Sequence, residues 1–165
     1  MSLDLYIISK KKVKHYGTNI FTRENGVSRE LTINECNKLY PNSEVMLFER
    51  EDNEYWHGDI THNLVTMAMQ CVCECPYRVT LYKILWLPQE SGLLGKKGVL
   101  TPSYIKALSV CLNDLKEHKD FYEKYNPKNG WGNYENLVSF IESFIKATSN
   151  IPQDKYSEYT VEASR

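Results

Sequence analysis

The sequence predicts an α+β fold: a small antiparallel N-terminal sheet, with the C-terminal strand as a candidate addition to it, packed against a layer of about four helices. Three observations carry this expectation. Period-two, β-branched segments are concentrated before residue 32. Apolar stripes at helical spacing, with start and stop signals, dominate after residue 60. No internal repeat, low-complexity tract or linker interrupts the 165 residues, so residues 1–165 read as one domain.

The elements follow in order. Residues 3–9 (LDLYIIS) alternate as a strand, and Lys10, Lys11, Lys12 and Lys14 then form a basic turn or strand edge. Residues 19–24 and 27–31 read as a hairpin, because Asn25-Gly26 between them tolerates positive φ. Thr32 and Glu35 have capping-box spacing, which predicts a short helix over 33–40 that Pro41 ends. Residues 43–49 (SEVMLFE) are expected to be extended, and 51–54 to form an acidic loop. Asp59 or Thr61 caps the next helix, whose stripe is Leu64, Met67, Ala68 and Cys71 and whose limit is Pro76. A further helix is expected over 77–87, with Leu81, Ile84 and Leu85 inward and Pro88 as its stop. Residues 89–99 hold three glycines and two lysines and read as a flexible loop. Thr101-Pro102 is a cap followed by a first-turn proline, and Ile105, Leu108, Leu112 and Leu115 continue that helix to about His118. After a turn-rich stretch at 125–133, the last helix runs over 134–148 on Leu137, Val138, Ile141, Phe144 and Ile145. Tyr159, Val161 and Ala163 alternate and suit an edge strand.

Composition excludes several classes. Apolar residues make up 42% and charged residues 25%, so the chain has the makings of a packed core and is not a disordered one. A chain this long buries roughly 70% of the surface its unfolded form exposes, so it needs no metal or disulfide staple. Twenty basic and 21 acidic side chains leave a formal charge of −1, which gives no global field for a long nucleic acid. No apolar run approaches the roughly 18–20 residues of a membrane span, and the N-terminal charges follow the short apolar stretch instead of preceding it as in a signal peptide. The expected location is therefore the cytoplasm, with no membrane partner and with the five cysteines, Cys36, Cys71, Cys73, Cys75 and Cys111, reduced. The chain carries 12 tyrosines, a side chain whose flat face and polar tip suit an interface or a planar ligand.

Two blocks combine aromatic and polar groups. YWHGDITHN (55–63) brings Tyr55, Trp56, Thr61, His62 and Asn63 to a helix start, where unpaired amides favour anions. The same residues equally suit plain capping, with His62 bonded into the core. NPKNGWGNYENL (126–137) flanks Trp131 with two glycines; Trp131 and Tyr134 form a possible stacking wall, with Asn129 and Asn133 as donors beside it. Here the alternative is a tight loop with Trp131 folded back as a lid. CVCEC (71–75) lacks the C-x2-C spacing of zinc sites, so the cysteines read as small apolar residues, and neither a metal nor another cofactor is expected. No G-x-S-x-G, H-E-x-x-H or Walker loop is present, which points away from an enzyme.

ITHNLVTMA (60–68) and NPKNGWGNYENLV (126–138), with the LDLYII opening and the Ser-Arg ending, resemble a family of small bacteriophage and prophage proteins of unknown function. The resemblance runs from end to end and is most specific in these two blocks; the cysteine-rich segment departs from it. It implies one α+β domain, a phage or bacterial intracellular setting, and a single site formed by both blocks. A more distant resemblance is to the phage sponge proteins, typically oligomeric, that sequester cyclic nucleotide signals of bacterial antiphage defence. None of their binding residues is carried over by position.

The expected function is therefore non-catalytic sequestration of a nucleotide second messenger, a small anionic cyclic di- or oligonucleotide, by a homo-oligomer. Tyr55, Trp56, Trp131 and Tyr134 would supply stacking faces, and Thr61, His62, Asn63 and Asn129 polar contacts. Two other classes stay open: a hydrolase or phosphodiesterase using His62 with Asp59 or a cysteine, and a protein-interaction module using the tyrosine-rich surface.

Overall fold

The computed structural model describes residues 2–24, 27–74 and 76–165. The fold is α+β, built on the long first strand, β1 (Ser2–Gly17). Its first half buries Leu3, Leu5, Ile7 and Ser9 on one face, as its alternation predicts. β4 (Phe48–Thr61) lies antiparallel on one side, paired from Ser2↔Thr61 to Gly17↔Phe48 with register shifts between Ile7 and Ile8 and between Ile8 and Val13. β7 (Tyr159–Ser164), the expected C-terminal strand, lies antiparallel on the other, from Asp4↔Ser164 to Ser9↔Tyr159. The sheet order is β4-β1-β7. Beyond Ser9 only β4 continues beside β1, so a two-stranded ribbon leaves the body.

The ribbon decides one expectation and corrects another. Of the turn or strand edge expected for Lys10, Lys11, Lys12 and Lys14, the structure shows strand, within β1, whereas residues 51–54 belong to β4 rather than to an acidic loop. Cross-strand charge explains the second. Lys14 Nζ meets Glu49 at 3.0 Å, and His15 Nε2 lies 3.5 Å from Asp52. Lys14 and His15 thus meet the acid run as neighbours on a sheet, whereas Lys10, Lys11 and Lys12 lie in the stretch between Ile8 and Val13 that has no β4 partner in the register. The extended segment at 43–49 becomes strand only from Phe48.

β2 (Phe21–Glu24) and β3 (Val27–Glu30) form the expected hairpin, paired from Phe21↔Glu30 to Glu24↔Val27, but as a separate two-stranded sheet. Its turn, Asn25-Gly26, lies outside the described residues. α1 (Ile33–Leu39) follows with its capping box complete: Thr32 Oγ1 accepts from the Glu35 amide, and Glu35 accepts from the Thr32 amide at 2.8 Å.

The remaining helices pack behind the sheet. Thr61 caps a 3-10 turn at His62–Leu64 that leads into α2 (Val65–Gln70). β5 (Val72–Cys73) and β6 (Val79–Thr80) pair briefly, and Cys75 lies outside the described residues. The helix expected from residue 77 starts at Leu81 as α3 (Leu81–Trp86), because the Thr80 hydroxyl caps it on the Lys83 amide. The loop at 89–99 is strapped to β7 by Gln89 Nε2, which donates to the Val161 carbonyl at 2.9 Å. α4 (Pro102–Glu117) starts on Thr101 as predicted, α5 (Lys119–Tyr122) is a short extra turn, and α6 (Tyr134–Ser149) starts on an Asn133–Asn136 capping box. α4 packs on α6, and α6 on β4.

The core is one cluster in which Ile7, Ile60, Leu64, Leu85, Leu108 and Phe144 are fully buried. Each such side chain contributes about 1.5–3 kcal/mol. Leu31 and Cys36 are buried outside this cluster, under the hairpin and α1. Among the described residues no helix is long and apolar enough to cross a membrane.

Candidate functional site

The two aromatic-polar blocks meet. Asn63 Nδ2 approaches the Trp131 carbonyl at 3.5 Å, and Gly132 sits against Thr61 and Leu64. The contact depends on glycine: Gly132 has φ +88°, and a Cβ there would run into Thr61 Cγ2 and stand 3.3 Å from Leu64 Cγ. Asn129 Oδ1 accepts from the Trp131 amide at 3.0 Å and shapes the turn that holds the indole outward. Trp131 is 60% exposed, and His62, Asn63 and Asn129 are exposed as well.

The other predicted site residues are spent on the fold. Thr61 is buried, and its hydroxyl accepts from the Asn63 amide at 3.3 Å. Tyr134 is buried: its hydroxyl donates to the Leu115 carbonyl at 2.9 Å, and its amide donates to Asn126 Oδ1 at 2.7 Å. It anchors the loop and does not form a wall with Trp131. Burial is the main cause raising its phenol above the ordinary value. Tyr55 and Trp56 point to α6, away from the other block. Tyr55 donates to the Ala147 carbonyl at 3.1 Å, and Trp56 Nε1 donates to Ser143 Oγ at 3.1 Å with its ring edge-on to Phe140 and Phe144. Their faces are taken by intramolecular packing.

His62 lies edge-on to Trp86, with ring centroids 6.3 Å apart, and Tyr82 stacks on the same indole at 5.9 Å. Trp86 Nε1 is buried and finds no acceptor among the described residues. Asp59, the expected partner of His62 in a hydrolase, is engaged elsewhere. It accepts from the Ser28 amide at 2.7 Å and lies 3.7 Å from Arg23.

Comparison with known protein families, curated proteins and solved structures finds no match for this chain. The chemistry of the site therefore rests on its own geometry.

The described cysteines, Cys36, Cys71, Cys73 and Cys111, are buried, the last three in the core cluster. Cys71 Sγ points to the Cys111 carbonyl at 3.6 Å and to Asp114 at 3.8 Å, and the Tyr122 hydroxyl donates to the same carboxylate. The hydrogen bond from Cys71, followed by burial, pushes the Cys111 thiol up, which keeps it protonated and unreactive. Among the described residues no group of three or more His, Cys, Asp or Glu is arranged to hold a metal.

One concavity escaped the sequence reading. A cleft of about 590 Å³ lies between the hairpin, β4 and α6. Tyr6 and His57 stack in its wall with centroids 4.5 Å apart and planes 6° apart. Burial, with help from Asp4 and Glu54, raises the Tyr6 phenol, so it remains a hydrogen-bond donor at neutral pH. Of the ten large hydrophobic residues exposed among the described residues, seven lie between Tyr16 and Phe48, and two of these, Phe21 and Phe48, line this cleft. Phe21, Leu39 and Phe48 sit in β2, α1 and β4 and still face solvent, an exposure that no local pattern signals.

Proposed function

We propose that this chain is a non-catalytic binding protein of the phage type its sequence resembles. It sequesters a nucleotide second messenger, a cyclic di- or oligonucleotide, in the host-cell cytoplasm and so blocks antiphage signalling, as a homo-oligomer. The observation that supports this reading is the exposed Trp131 indole, held out beside Asn63 and Asn129 by contact between blocks 68 residues apart in sequence. A base stacks on the indole, and the amides of Asn63 and Asn129 with the ring nitrogens of His62 serve base edges and phosphate oxygens.

The test is a thermal-shift screen against cyclic di- and trinucleotides, followed by chromatography of the released ligand. Ligand at a hundred times its dissociation constant adds about 2.7 kcal/mol to stability. The reading expects a clear rise in melting temperature with the ligand recovered unaltered. A product in the chromatogram identifies an enzyme instead, and no shift with any cyclic nucleotide overturns the reading.

The exposed apolar residues between Tyr16 and Phe48 favour a second role, in protein interaction.

A further inference from the structure

We infer that the groove at the entry to β4, lined by Tyr40, Met46 and Phe48, is the surface on which a second copy of this chain docks. The inference rests on the homo-oligomer of the proposed function and gives it a contact surface; the nucleotide assigned to Trp131 plays no part in it.

The groove holds about 470 Å³ and lies between the end of α1 and the start of β4. Ile20 and Val45 are half-buried in its lining, and Tyr40, Met46 and Phe48 are exposed. Their chain neighbours Leu39 and Leu47 are exposed as well. The turn that carries Tyr40 is fixed: its amide donates to the Cys36 carbonyl at 2.8 Å, and its carbonyl accepts from the Ser43 amide at 3.0 Å. These five large side chains are 49–61% exposed. At roughly 200 Å² each when free, they leave on the order of 100 Å² apiece in water, roughly 500 Å² in all. A stable complex takes about 800 Å² from each partner, a little over half of it apolar, or about 450 Å². The patch therefore supplies the apolar area that one face of a dimer needs, on a surface already ordered for it.

Charge selects the occupant. Four charged residues stand at 38–50: Lys38, Glu44, Glu49 and Arg50. Glu49 pairs with Lys14 at 3.0 Å, and Arg50 with Asp52 at 2.8 Å. Lys38, in the last turn of α1, and Glu44, in the groove lining, are exposed and have no ion pair among the described residues. The patch thus carries one free base and one free acid beside its apolar centre. In a two-fold dimer one surface meets itself, so a contact from one residue to another recurs in reverse. Lys38 of each copy then faces Glu44 of the other, and two ion pairs flank the apolar contact. A partner surface of a single charge sign satisfies one of these groups and opposes the other. The formal charge of −1 per chain leaves little repulsion between copies.

The experiment is sedimentation equilibrium of the intact protein over a range of concentrations, with circular dichroism to establish that each variant is folded. Reversible self-association is expected for the wild type, and Met46→Glu is expected to leave only monomer. Lys38→Glu and Glu44→Lys should each weaken association roughly tenfold, because each substitution acts at two contacts. The two substitutions together in one chain should restore it. Trp131→Ala leaves association unchanged. A wild type that stays monomeric, association that survives Met46→Glu, or a double variant as weak as the single ones overturns the inference. A monomer whose melting temperature still rises with a cyclic dinucleotide overturns the inference while leaving the nucleotide reading standing. Association that responds as expected, with no nucleotide shift, upholds the inference and overturns that reading.

Discussion

The body and the arm of this molecule are built to opposite rules. In the body, the first half of β1, β7 and the helices from α2 onward bury almost every large apolar side chain in one cluster. In the arm, the far ends of β1 and β4, the hairpin and α1 bury Leu31 and Cys36, and expose Tyr16, Phe21, Met46 and Phe48. The body therefore supplies stability and the arm supplies surface. An arm of this kind stays formed through local hydrogen bonds and ion pairs, and leaves its apolar residues for a partner.

Substitutions should separate the two regions. The largest effect is expected for Phe144→Ala: the ring is fully buried against Trp56 and Tyr104, and its loss should cost about 3–5 kcal/mol in urea unfolding. Phe21→Ala, at 62% exposure in the arm, should stay within about 0.5 kcal/mol. Comparable losses at the two positions would erase the distinction.

Gly132→Ala comes next. It forces a side chain into positive φ and against Thr61, so a loss of about 2 kcal/mol is expected in the same assay. It should also disturb the Trp131 surface, because the contact it breaks joins the two blocks. Thr101→Ala, which removes the side-chain cap on the Tyr104 amide at the start of α4, should cost about 1 kcal/mol.

The smallest effect concerns acid. The Arg29 guanidinium, by hydrogen bonding, and then the Thr32 amide hold the Glu35 carboxyl down at about 2. A depressed folded-state value means that the carboxylate favours the arm above the unfolded value of about 4.3 and loses that contribution as pH falls toward 2. A carbon-detected NMR titration of Glu35 should show a midpoint near 2, moving up toward the ordinary range in Arg29→Ala. A wild-type midpoint at the ordinary value would show that the ion pair does not persist in solution.

The sequence disclosed the parts governed by local chemistry. The caps at Thr32 and Thr101, the stripe of α6 and the alternation around Val161 all act within a few residues, and all sit where their spacing puts them. It concealed what depends on pairing at a distance. Glu51–Glu54 looks like a solvated loop until β1 and β4 are laid side by side and Lys14 stands opposite Glu51. The candidate site divides in the same way. Trp131, His62, Asn63 and Asn129 are exposed as their composition suggests. Tyr55, Trp56 and Tyr134 look alike in sequence, but α6 and the Leu115 carbonyl claim them, and no local pattern reveals a partner 19 to 92 residues away.

The most direct test of the central claim uses the tryptophans themselves. Trp86 is fully buried and Trp56 half-buried, so quenching of intrinsic fluorescence by a stacked base reports chiefly on Trp131. Titration with a cyclic dinucleotide should give saturable quenching that disappears in Trp131→Phe, while the variant melts as the wild type does. Quenching that persists in Trp131→Phe, or no response in the wild type, would contradict the account.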